Sequence, residues 1–74
     1  MPAIKDFGGF KITMYFEDHN PPHFHVVSPT QAAVVEIATL TVMAGAMKAA
    51  QLREALEWAE ANKELLERKW TELH

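Results

Sequence analysis

Seventy-four residues make one small domain, which at this length buries only about 60% of its unfolded surface, so a partner or a homodimer would add stability. With 49% hydrophobic residues, 23% charged residues, no cysteine and a formal net charge of −3, disulfide scaffolds, thiolate chemistry and disordered tails are excluded. The basic residues Lys5, Lys11, Lys48, Arg53, Lys63, Arg68 and Lys69 are scattered, which disfavours tight autonomous DNA binding; without a signal-peptide pattern or a long apolar run, the expectation is a cytoplasmic chain with no membrane segment.

Residues 1–9 end in Phe7-Gly8-Gly9 and read as a lead-in arm with a sharp bend. Residues 10–17 alternate. Phe10, Ile12, Met14 and Phe16 point one way and Lys11, Thr13, Tyr15 and Glu17 the other, the pattern of a half-buried strand. A second strand is predicted over about 23–28, ended by the turn Ser28-Pro29-Thr30, and a third over 31–37, rich in Ala and Val. Leu40-Thr41-Val42-Met43 reads as a short edge strand, with Gly45 separating it from a helical region over about 48–73.

In that region Leu52, Leu56, Ala59, Leu66, Trp70 and Leu73 recur at spacings of three and four. A single helix of this length would span roughly 39 Å, too long for so small a body, so a break is favoured, with Asn62 as N-cap and Glu64 in the next first turn. Glu64 and Arg68 are spaced for an i,i+4 pair. Trp58 lies off the main stripe and is expected to pack on the sheet. The predicted fold is α+β: a mostly antiparallel sheet of three to four strands (about 7–44) with one or two C-terminal helices on one face. Its predicted core is Phe10, Ile12, Met14, Phe16, Phe24, Val26, Val35, Ile37, Leu52, Leu56, Leu66 and Trp70.

Residues 18–26, Asp18-His19-Asn20-Pro21-Pro22-His23-Phe24-His25-Val26, hold three of the four histidines and two of the four prolines. Consecutive prolines stiffen the loop, and strand alternation after Pro22 sends His23 and His25 to one face. Four readings follow. In the first, His23 and His25 form a proton-transfer pair for phosphodiester cleavage, with His19 as third member and Lys11 and Tyr15 contacting phosphate. In the second, the His-x-His pair with His19 or Asp18 holds a zinc ion; the spacing lacks a second ligand pair elsewhere. In the third, the histidines hydrogen-bond loop carbonyls, Asn20 forms an Asx-turn and Asp18 orients an imidazole. In the fourth, the cluster contacts a protein partner. The terminal His74 has no role in any of them.

The residues Phe7-Gly8-Gly9-Phe10, Met14-Tyr15-Phe16 running into the histidine and proline stretch, and the late tryptophans Trp58 and Trp70 resemble a small bacterial family known as domain of unknown function 4160. The resemblance covers nearly the whole chain. It implies no activity and no cofactor. It does imply that a small cognate protein is encoded alongside, typically another domain of unknown function, number 2442, in a pair often classed as a toxin–antitoxin candidate. RNA enters as a target only through the phosphodiester-cleavage reading of the histidines. The chain departs from the family pattern at Leu40, where a turn glycine is usual, at Lys48, where a helix-opening proline is common, and at Ala61-Asn62-Lys63, in place of a histidine and an arginine.

Overall fold

The computed structural model describes residues 3–15 and 19–74. Five strands, β1 (Ala3–Asp6), β2 (Lys11–Thr13), β3 (His23–Val27), β4 (Ala32–Glu36) and β5 (Val42–Ala46), form an antiparallel sheet in chain order, followed by helices α1 (Ala49–Ala61) and α2 (Lys63–Leu73). Among the described residues, no helix is long and apolar enough to cross a membrane.

The expected three to four strands become five because the lead-in arm is itself a strand, paired antiparallel with β2. Its four residues, Ala-Ile-Lys-Asp, carry no alternation strong enough to announce it. The hairpin supplies the order instead. Gly8 takes φ 101°, its N–H donates to Asp6 Oδ1 at 2.8 Å, the Phe7 N–H donates to the Phe10 carbonyl at 2.9 Å, and the two phenyl rings stack at 4.6 Å.

The strand predicted over 10–17 is shorter, ending at Thr13. Phe16, Glu17 and Asp18, assigned to the core, the strand and the site, lie outside the described residues. Phe10, Ile12 and Met14 are buried as alternation requires. Thr13, expected to face outward, is buried as well, since its rung lies between Ala3 of β1 and His25 of β3. After β3 the predicted turn forms around the Ser28 hydroxyl, which accepts from the Gln31 N–H at 3.0 Å.

The edge strand lies two residues later than its strand-like residues suggest. Glu36 N–H donates to the Thr41 carbonyl and Leu40 N–H to the Glu36 carbonyl, so the turn consumes Leu40 and Thr41 before β5 begins. Leu40 takes φ 56°, a left-handed backbone that a Cβ disfavours. Gly45, expected to divide strand from helix, instead lies within β5 at φ 76°, where a Cβ would strike the Ala32 carbonyl. A β-bulge falls in the same strand pair.

The helix breaks at Asn62, as expected, yet the cap works differently. The Asn62 side chain makes no N-cap bond to α2; its Nδ2 turns back and donates to the Trp58 carbonyl at 2.8 Å, closing the end of α1. Among the described residues the helix ion pair is Lys69 with Glu72 at 3.6 Å, not Glu64 with Arg68.

The core holds Phe24, Ile12, Met14, Ile37, Leu66, Val26 and Val35, all fully buried. Each such side chain contributes about 1.5–3 kcal/mol on burial, so this layer, rather than any polar contact, holds the fold. Leu52 and Leu56, predicted in the core, are half-buried at its margin, while Ala55 and Ala59 are fully buried. Small side chains one turn apart let α1 lie close on the sheet, which turns the two leucines to the flank. Trp58 packs on the core from the side, its ring edge-on to Phe7 at 6.3 Å.

Candidate functional site

Alternation along β3 fixes the site. Phe24 and Val26 are 0% exposed in the core, which leaves His23 and His25 on the other face with ring centroids 5.3 Å apart. His23 Nδ1 lies 2.8 Å from the Pro21 carbonyl, and because a carbonyl can only accept, this nitrogen carries the proton. The ring is 8% exposed and packs 5.1 Å from Trp70. Trp70 in turn stacks on His74 at 3.8 Å, and His74 Nδ1 donates to the Trp70 carbonyl at 2.8 Å. At the other end, Tyr15 sits edge-on to His25 at 4.6 Å.

The result is one row, Tyr15, His25, His23, Trp70 and His74, running from the sheet to the end of α2. Its middle is buried, Tyr15 and His25 are half-buried, and His74 is exposed. Of the site residues predicted from sequence, the structure brings together His23, His25 and Tyr15. His19 and Asn20 are exposed on the loop, and the contacts that build the row are made without them. Lys11 is exposed opposite Val27, on the same face but at the far end from His23. Asp18 lies outside the described residues.

Trp70 and His74 are members that sequence reasoning missed. Helical periodicity assigns Trp70 to the core, correctly, but cannot say which strand residue meets it. His74 carries no local signal at all. Among the described residues, no three His, Cys, Asp or Glu side chains are grouped as a metal ion would need.

The face around His25 differs sharply from the one beneath it. Ile12, Val26 and Ala33 form one rung across β2, β3 and β4, all 0% exposed in the core shared with Ala55, Ala59, Leu66 and Trp70. The adjacent rung, on the opposite face, reads Thr13, His25, Val34 and Ala44. Within it Val34 is half-buried and Ala44 exposed; beside it Val27 is half-buried and Ala32 and Ala46 are exposed. This is a largely neutral, small-residue surface with Lys11 and Glu36 at its margins.

Residues 9–71 match the family model described as domain of unknown function DUF4160. The chain belongs to that family. The match to DUF4160 takes in β2 to β5, α1 and most of α2, and so every member of the ring row except His74. No curated protein and no solved structure matches the chain.

Proposed function

We propose that this protein is the protein-binding member of a two-gene bacterial module, meeting a small cognate protein through the sheet face that carries Tyr15, His25, Val27 and Val34, and catalysing no reaction itself. The observation that carries this reading is the contrast between neighbouring rungs: Ile12, Val26 and Ala33 are fully buried in the core shared with the helices, while on the opposite face, which α2 meets at His23 through Trp70, His25 and Val34 are half-buried and Ala44 is exposed. A neutral apolar centre with aromatic and imidazole rings and a polar rim suits a protein contact. A net charge of −3 suits a polyanion poorly.

The burial of His23 weighs against the acid–base pair. Cleavage of a phosphodiester by two imidazoles needs both to reach the same phosphate, and the ring of His23 is held between His25 and Trp70 with Nδ1 engaged by Pro21. His23 is then a positioning residue that ties the proline loop to β3, and His25 is the contact residue.

Co-expression with the product of the adjacent gene, followed by copurification and titration calorimetry, tests the reading. Wild type is expected to bind with defined stoichiometry, and Val34→Lys to weaken binding at least ten-fold with an unchanged thermal melt. Full affinity in that variant, or no complex with wild type, overturns the proposal. If wild type alone arrests growth and a folded variant lacking both His23 and His25 imidazoles does not, RNA chemistry takes its place.

A further inference from the structure

We infer that β5 is a self-pairing edge, through which two copies of this chain join their sheets antiparallel about a two-fold axis. The sheet ends at β5, and all five of its residues are exposed. A free edge offers a row of backbone donors and acceptors, and soluble proteins usually guard it with charge or proline. The opposite edge is guarded in this way: β1 carries Lys5 and Asp6 beside a register irregularity. The β5 edge has no such charge, because no charged residue or proline occurs between Glu36 and Lys48. Its bulge is the one protective feature. The strand also presents Val42 and Met43, at 36% and 40% exposure the large hydrophobic side chains left on the surface among the described residues.

A second feature lies where the turn before β5 meets α1. A depression of about 420 Å³ is floored by Leu40, Leu52 and Leu56. Leu40, in the turn before β5, lines it together with Ala49 at the start of α1 and further α1 side chains, so it lies between that turn and the helix. Its walls hold Arg53 together with Glu57 and Glu60. Basic and acidic side chains on one wall are self-complementary under a two-fold axis, since Arg53 of each copy can then meet an acidic residue of the other. A neutral strand edge and a mixed-charge groove therefore favour a second copy over a strongly acidic or basic partner. Edge pairing engages the β5 backbone, so the histidine face, to which Ala44 and Ala46 of β5 belong, stays open.

Sedimentation equilibrium of the full chain over a concentration series tests the inference. Wild type is expected to dimerise, and Met43→Lys, whose side chain is exposed and whose fold should persist by circular dichroism, to raise the dissociation constant at least ten-fold. Arg53→Glu, on the solvated side of α1, is expected to weaken the dimer similarly, and combination with Glu57→Arg or Glu60→Arg to restore it. A wild type that stays monomeric at millimolar concentration overturns the inference. So does a dimer indifferent to both Met43→Lys and Arg53→Glu, which would place the contact elsewhere.

Discussion

The rings of His23 and Trp70, one at the start of β3 and the other near the end of α2, lie 5.1 Å apart, and both are buried. This contact joins the proline loop to the last helix. Truncating Trp70 to alanine should cost about 3–5 kcal/mol, as for other large core aromatics. His23→Ala should cost about 1–3 kcal/mol through loss of its bond to the Pro21 carbonyl. Urea unfolding of both single variants and the double variant is the measurement, and the two losses should fall short of additive. Strict additivity would show that the rings are neighbours without energetic coupling.

Leu40 combines a left-handed backbone with partial burial against the core. Leu40→Ala keeps the backbone cost and loses the packing. Leu40→Gly loses the same packing but relieves the backbone, by about 1 kcal/mol. The glycine variant should therefore be the more stable of the two, the reverse of the order expected in a helix or strand. A thermal melt in which alanine is equal or better would contradict this.

Gly8 and Gly45 both have positive φ but differ in surroundings. A Cβ at Gly8 meets nothing within 4 Å, whereas one at Gly45 runs into the Ala32 backbone. Gly8→Ala should cost only the backbone term, about 1 kcal/mol, and Gly45→Ala clearly more, since β5 must shift from β4. Hydrogen exchange at β4 should rise in the second variant and not in the first.

At Asn62 the two capping schemes make opposite forecasts. If the side chain capped α2, Asp would serve as well as Asn. Since Nδ2 donates to the Trp58 carbonyl, Asp cannot replace it, and Asn62→Asp should destabilise by about 1 kcal/mol, as should Asn62→Ala. Chemical denaturation of the pair decides between the schemes.

Gln51 on α1 holds a buried side-chain oxygen with no hydrogen-bond partner. Gln51→Met keeps the shape and removes the orphaned acceptor, and should raise stability by about 1 kcal/mol. A lower melting temperature would mean that the amide has a role its contacts do not reveal.

Much of this fold was legible along the chain, because the signals involved are local. Alternation placed Phe10, Ile12 and Met14 in the core, Ser28-Pro29-Thr30 marked its turn, and the pairing of His23 with His25 followed from their separation by one residue on a strand. The left-handed turn at Leu40 was not legible, because Leu40-Thr41-Val42-Met43 carries strand-like side chains and no glycine to mark a positive φ.

Tertiary structure alone decided the rest. β1 is a strand only because the Phe7 to Phe10 hairpin folds it onto β2, and four residues without alternation cannot carry that information. The α1 face centred on Ala55 and Ala59, in place of Leu52 and Leu56, depends on how closely a helix can approach the sheet, which is set by packing and not by hydrophobicity. The meeting of His23, Trp70 and His74 depends on where α2 ends relative to β3. The sequence by itself determined which residues alternate, turn and cap; only the folded chain decided which distant faces touch, because such contacts depend on the geometry of all the elements between them.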